Sequence, residues 1–398
     1  MKRAAKLLLC LAMIILPALS GRAYDFGLIL DQDGALCGTG KNTVFDYTGI
    51  LIPRFSALIG DNGGIYVSAG VNLQNNPWAV VPELLRTDFY WRFDSGEFRA
   101  GRMFYSDPLG YIAQGLFDGA RISLDTGAGT FSAGAWYTGL LYKKRVNIAM
   151  TDKEMISLSE TLKYSDFFNT YFAPRRVIAA LDWEHPGLAE IVRVNVSLLG
   201  QFDLSGADYL HTQYCTAKIS LPVADFVFAL GGSAELSEVS GENTKIAFAG
   251  DMSTSWLLPT PLEDQLSLLG RFSSGVIENS SVTAFRPITT IDQGDVLRTK
   301  LSGLSLVSLN YLARICRPFA FNIASTYFIR SDLGTNQLFG TDGGYFLGNE
   351  FSGTVLWSPI SDMRLNLGGG VFLPSLGNAA PKSDMLWRVE LNLIISLY

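Results

Sequence analysis

From about residue 24 to its end, this chain repeats short segments in which apolar and polar side chains alternate with a period of two. At 385–398 the sequence reads MLWRVELNLIISLY. Trp387, Val389, Leu391, Leu393, Ile395 and Leu397 share one face there, and Arg388, Glu390, Asn392 and Ser396 share the other. Successive side chains of a strand point to opposite faces, so each segment predicts a strand with one greasy side and one charged side. The pattern recurs at 361–373, at 188–201 and around 86–94. About eighteen such segments begin near 24, 43, 65, 86, 97, 117, 130, 175, 188, 209, 224, 244, 263, 299, 318, 346, 361 and 385. Strands of about 10 residues, tilted, are what crossing a bilayer takes.

The connections alternate in length. Short ones rich in Gly, Pro, Asn and Asp are read at 60–64, 94–97, 126–129, 185–187, 222–225, 258–263, 314–318 and 358–362, which is turn chemistry. Long ones fall between them near 76–85, 106–116, 142–174, 276–298, 331–345 and 374–384. Short periplasmic turns facing long external loops are the asymmetry of outer-membrane barrels. A sheet in lipid must also close, because unpaired backbone groups at an open edge cost several kcal/mol each. The expected fold is therefore all-β: a closed antiparallel transmembrane β-barrel of about 18 strands (16–18). Tyr137, Trp183, Trp256, Tyr327, Trp357 and Trp387 lie near strand ends and suit the interfacial girdles.

Composition narrows the function. Of 398 residues, 48% are hydrophobic and 17% charged, which argues against a disordered chain. A net charge of -6 gives no basic footprint for nucleic acid. Only two histidines are present, leaving little for metal ligation or general-base chemistry. Lys2, Arg3 and Lys6, the apolar stretch from Leu7 to Leu16, and the small residues up to Ala23 form a secretory signal, with cleavage expected after Ala23 and Ser20 as the alternative. Residues 24–398 then make a single barrel domain placed in the cell outer membrane. Cys37, Cys215 and Cys316 are expected to be free thiols, and no spacing of Cys or His suits a metal. Neither a cofactor nor a reaction is implied.

The stretch 98–124, FRAGRMFYSDPLGYIAQGLFDGARISL, carries a resemblance. Gly101-Arg102, a loop, then Phe117-Asp118-Gly119-Ala120-Arg121 is similar to a hairpin of alginate-export-type outer-membrane barrels. That resemblance implies an eighteen-stranded channel and leaves the substrate open. The aromatic Tyr398 at the end of the chain also resembles the signal read by the barrel-assembly machinery, although it lies out of phase with Leu397.

Alternation assigns the channel lining to Arg92, Arg121, Arg176, Arg193, Arg271, Arg364 and Arg388, together with Asp88, Asp94, Asp125, Asp182, Glu184, Asp251, Glu350 and Glu390. Charges of both signs would set up a transverse field that aligns polar solutes. Many of them would also pair and stiffen the wall. Loop 142–174, with a helix expected in its middle, is expected to narrow the pore, cap it or bind a partner. The expected activity is passive diffusion of small hydrophilic or sugar-like solutes, with outer-membrane lipid as the surrounding partner. A sealed or plugged barrel acting through its loops as adhesin or anchor is the alternative. A hydrolase built on His211 with Ser205 and Asp208 is a third reading. Asp31-Gln32-Asp33-Gly34 is read as a turn, since the later ligands of a calcium loop are missing.

Overall fold

The computed structural model describes residues 24–40, 42–206, 208–335 and 343–397. The signal segment and Tyr398 lie outside the described residues. Eighteen strands follow one another around a single closed sheet. They are β1 (Tyr24–Thr39), β2 (Asn42–Ile59), β3 (Gly63–Gln74), β4 (Ala79–Phe93), β5 (Gly96–Ser106) and β6 (Gln114–Thr126). Next come β7 (Gly129–Tyr137), β8 (Arg176–Leu188), β9 (Val192–Asp203), β10 (Leu210–Val223), β11 (Phe226–Val239) and β12 (Lys245–Leu257). The circuit ends with β13 (Gln265–Ser273), β14 (Leu304–Cys316), β15 (Phe319–Arg330), β16 (Phe346–Ile360), β17 (Met363–Leu373) and β18 (Leu386–Leu397). Each strand runs antiparallel to its neighbours, and β1 closes on β18 from Leu28↔Leu397 to Thr39↔Leu386.

All eighteen anticipated segments are strands. The connections at 60–62, 94–95, 127–128, 189–191, 224–225, 258–264, 317–318 and 361–362 lie at one end of the barrel. The opposite end carries 107–113, 138–175, 274–303 and 374–385 among its loops, while the β3–β4 connection there, 75–78, is short. Three local readings change. His185-Pro186-Gly187 belongs to β8, and the chain turns later, at 189–191, after a register shift between His185 and Leu188. Residues 79–85 are strand rather than loop. Asp31–Gly34 lies inside β1, not in a turn.

The greasy face points outward. Leu181, Leu198, Leu230, Met252 and Ile323 are each more than half exposed, whereas Ile178, of opposite phase in β8, is fully buried. An apolar exterior that runs round the whole wall is far larger than a soluble monomer leaves in water. Stacked aromatics ring the short-turn end: Trp256 on Phe226, Trp357 on Phe319, and Trp183 near Phe131. Among the described residues no helix is long and apolar enough to cross a membrane.

The interior is less uniformly polar than alternation suggests. Met103, Phe117, Trp136, Ile178, Leu199 and Tyr214 point inward and are buried. Loops explain it. Ile112 from loop 107–113, Ile148 from loop 138–175 and Phe285 and Ile288 from loop 274–303 pack on that wall in one cluster. Backbone bonds lock them together, from Ile288 N–H to Ile112 C=O (2.8 Å) and from Thr290 N–H to Asn147 C=O (2.8 Å).

Candidate functional site

Within the barrel, loop 107–113 is organised by one carboxylate. Asp107 accepts the backbone N–H groups of Leu109, Gly110, Ile112 and Ala113 at 2.8–3.0 Å. Its Tyr111 ring lies under the Arg271 guanidinium, 4.5 Å away. Loop 138–175 contains α1 (Lys143–Val146), α2 (Asp152–Ser159) and α3 (Phe167–Tyr171). Thr151 and Glu154 form a capping box at the start of α2, which supplies the first N–H groups with acceptors. Ion pairs then tie this loop to β4 and to β8: Arg145 to Glu83 at 2.9 Å and Arg176 to Glu154 at 2.6 Å. Loop 274–303 is held to the wall two strands beyond β14, where Glu350 of β16 accepts the N–H groups of Asp295, Val296 and Leu297.

Under loop 274–303 a cavity of about 660 Å³ remains. Asp33, Asp292, Asp295, Arg298, Arg388 and Glu390 supply its charges, and Gly368 and Gly370 widen it. Arg388 pairs with Glu390 (2.7 Å) and Arg298 with Asp292 (3.2 Å). Desolvation in the cavity pushes the Asp292 carboxyl above the ordinary carboxylate range, against the opposing pull of Arg298.

The opposite arc, β4 to β10, holds the cations. Asp88 is buried between Arg86 (2.6 Å) and Arg99 (3.3 Å), while Glu97 meets Arg92 (3.2 Å) and Arg99 (2.8 Å). Arg121 stands 3.5 Å from Asp182, whose carboxylate also accepts Ser197 (2.7 Å). Arg193 is exposed and Lys218 half-buried on the next strands. With eighteen strands in sequence order around the ring, β6 and β15 lie half a circuit apart. The arginine-rich arc therefore faces the carboxylate-rich cavity across the lumen.

The alternation-derived residues thus separate into three groups. Arg92, Arg121, Arg193, Asp88, Asp182, Arg388 and Glu390 belong to the facing charged arcs. Arg176 and Glu350 hold loops, and Arg271 donates to Gln293 of loop 274–303 (2.7 Å) opposite Asp251 in the β12–β13 register. Asp94, Asp125, Glu184 and Arg364 sit exposed near the turn end of the barrel. Alternation overlooked Arg86, Arg99 and Asp33. The first two carry the same signal, whereas Asp33 was read as a turn. Asp292, Asp295 and Arg298 gave no signal, because a loop has no periodicity to fix its direction. His211 stacks on Tyr209 with centroids 4.5 Å apart, and its Nδ1 accepts the Asp203 N–H (3.0 Å). Among the described residues, the hydrogen bonds of the other two members of the hydrolase reading go elsewhere: Ser205 N–H donates to the Asp203 carboxylate (2.8 Å) and Asp208 pairs with Lys153 (2.7 Å). Among the described residues Cys37, Cys215 and Cys316 are free thiols.

The geometry defines a class, a closed eighteen-stranded barrel with loops folded into its lumen. Solved structures of that class match the chain. Against OccK2 (OpdF) of Pseudomonas aeruginosa the TM-score is 0.63 at 11% identity, covering 94% of this chain and 98% of the other. OccK2 in complex with glucuronate gives 0.62 at 11% identity, covering 95% and 98%. Pseudomonas aeruginosa OpdK with vanillate gives 0.61 at 11%, covering 94% and 98%. The likeness carries the fold. It gives no support to the resemblance of hairpin 98–124 to alginate-export-type barrels. No protein-family model matches the chain, and neither does any curated protein.

Proposed function

We propose that this protein is an outer-membrane channel for passive diffusion of small hydrophilic solutes, with small carboxylates as the favoured class. The carrying observation is the cavity left beneath loop 274–303, facing the arginine arc. A barrel of 16–18 strands encloses a water-filled lumen, and here the loops narrow that lumen around two charged walls. A solute entering between them would orient its carboxylate toward Arg99 and Arg121 and its hydroxyls toward Asp33 and Glu390. Glucuronate and vanillate, held by the OccK2 and OpdK barrels, are both compact carboxylates of that kind. The lining role of the charged residues belongs to this reading, as do the outer-membrane location, the signal at 1–23, the surrounding lipid and delivery by the barrel-assembly machinery.

Single-channel recording of the refolded mature chain in a planar bilayer under a salt gradient tests it. Steady conductance is expected. A folded but silent protein would overturn the channel reading in favour of a plugged barrel that works through its external loops.

Two results should accompany an open channel. Arg121→Glu reverses a lumen charge beside Asp182, so the reversal potential should move toward cation selectivity; no movement would leave Arg121 as a wall-stiffening partner only. The second concerns pH. Because its pKa is raised, Asp292 takes up a proton on acidification before an ordinary carboxylate does. The acidic face then loses charge first, and cation preference should fall as pH drops toward the carboxylate range. Asp292→Asn should reduce the early part of that change and leave the later titration in place.

A further inference from the structure

The wall contains a built-in seam. β4 pairs with β3 up to Ala79↔Gln74, yet it pairs with β5 only from Thr87↔Arg102 to Phe93↔Gly96. The eight residues from Ala79 to Arg86 therefore have no β5 partner, a free edge of roughly 25 Å at about 3.3 Å per residue. Sequence prepares this edge. Pro82 lies in the middle of it and has no N–H to leave unpaired, the usual restriction on proline in a sheet. Gly101 sits at the base with φ 119°, where a Cβ would run into the Thr87 carbonyl.

In a bilayer an unpaired edge needs acceptors and donors from elsewhere. Side chains supply them. The carbonyls of Val80, Pro82 and Leu84 point along the same edge, and they accept from Tyr164, from Tyr171 (2.7 Å) and from Arg102. Arg102 also donates to the Leu140 carbonyl (3.1 Å) and holds Asp118 in a two-pronged pair at 2.8 and 2.7 Å. Two of the three caps, and Leu140, come from loop 138–175, so this loop closes the wall as well as narrowing the pore.

The seam is apolar on both sides. Its outer lips, Val80, Leu84, Phe104, Leu140, Tyr164 and Phe168, are all exposed. Behind them Val81, Tyr142, Tyr171 and Phe167 form a separate apolar cluster. Directly beyond that cluster the lumen turns polar, with Glu83 held by Arg145 and Asn72 (2.8 Å). A path from hydrocarbon to an ion pair, stoppered by a loop, has the profile of a single-chain amphiphile. We propose that the β4–β5 seam is a side passage between the lumen and the outer leaflet, which admits one acyl chain when loop 138–175 moves off the β4 edge.

The experiment uses the full mature protein in vesicles containing palmitate with a photoreactive group at the chain end. The expected result is crosslinking to Val81, Tyr142 or Phe167, on the inner side of the seam, with no crosslinking at Asn366 elsewhere in the lumen. Each neutral hydrogen bond shifts an equilibrium by about fivefold. The double variant Tyr164→Phe/Tyr171→Phe should therefore raise inner-side labelling by about twenty-fivefold, and Tyr171→Phe alone by about fivefold. Labelling confined to Val80, Leu84 and Phe104 in all three proteins would overturn the passage. So would equal labelling of Asn366, which would mean that the probe came down the pore. Conductance of the same vesicles reports the axial channel separately, so a failure of either reading leaves the other standing.

Discussion

Replacing Arg176 with methionine should destabilise the barrel by about 3–5 kcal/mol, the cost of stripping one partner from a buried ion pair. Arg176 is fully buried at the loop end of β8. Its guanidinium meets Glu154 at 2.6 Å and Asp203 at 3.2 Å and donates to the Leu210 carbonyl at 3.1 Å. Those contacts join three pieces of chain: helix α2 of loop 138–175, the end of β9 and the start of β10. Methionine fills much of the volume and leaves two carboxylates facing each other without a cation. Denaturant titration in detergent should show the loss, and protease should cut loop 138–175 in the variant before the strands melt. The triple variant Arg176→Met, Glu154→Gln, Asp203→Asn should recover a large part of it, because no bare charge remains buried. If the single variant were as stable as the parent, the Arg145–Glu83 pair and the loop's contacts along the β4 edge would hold it without Arg176.

That anchoring shows why some of this protein was legible in its sequence and some was not. Strand period is a local property, and lipid enforces it: a residue such as Leu181 or Leu230 has nothing but hydrocarbon to face. The eighteen strands and the outward apolar face follow from that rule alone. Inside, the rule weakens. Trp136 and Ile178 occupy lumen positions that alternation would give to polar side chains, since Phe285 and Ile288 come from more than a hundred residues away to cover them. Arg176 was legible as an inward charge, but its partner Glu154 lies on a loop whose direction no periodicity sets. The pairing of Arg102 with Asp118 and of Gly101 with Gly119 was half legible. The Gly-Arg and Phe-Asp-Gly-Ala-Arg segments stood out as a motif, and the structure supplies the physical cause. Two glycines let neighbouring strands approach at the base of the seam, and the arginine, fixed by the aspartate, caps the β4 edge. The seam itself was hidden, because residues 76–85 read as a loop when half of their backbone bonds were missing.

Glu350→Ala is expected to produce the largest change in conduction. One carboxylate on β16 accepts three consecutive backbone N–H groups of loop 274–303, from Asp295 (2.7 Å), Val296 (3.1 Å) and Leu297 (2.8 Å). Hydrogen bonds to a charged group are worth about 1.5–3 kcal/mol each, so this side chain is the main pin of the loop on that wall. The fit around it is close. Gly294 has φ 83°, and a Cβ there would come within 2.8 Å of Glu350 Oε2 and of the Phe328 ring. Alanine at 350 removes all three acceptors and leaves a space beside the loop. Asp295, Asp292 and Arg298 should then leave the cavity, so conductance should rise several-fold, with noisier open states and a weaker preference between ions. Glu350→Gln keeps one acceptor oxygen and should fall between the two. Gly294→Ala should push in the same direction as Glu350→Ala, since it forces the loop off the wall while sparing the carboxylate. Unchanged conductance in all three variants would mean that the apolar packing of Phe285 and Ile288 sets the constriction and that Glu350 only relieves buried N–H groups. A conductance that rises in the alanine variants but not in glutamine would locate the effect in the hydrogen bonds rather than in the charge.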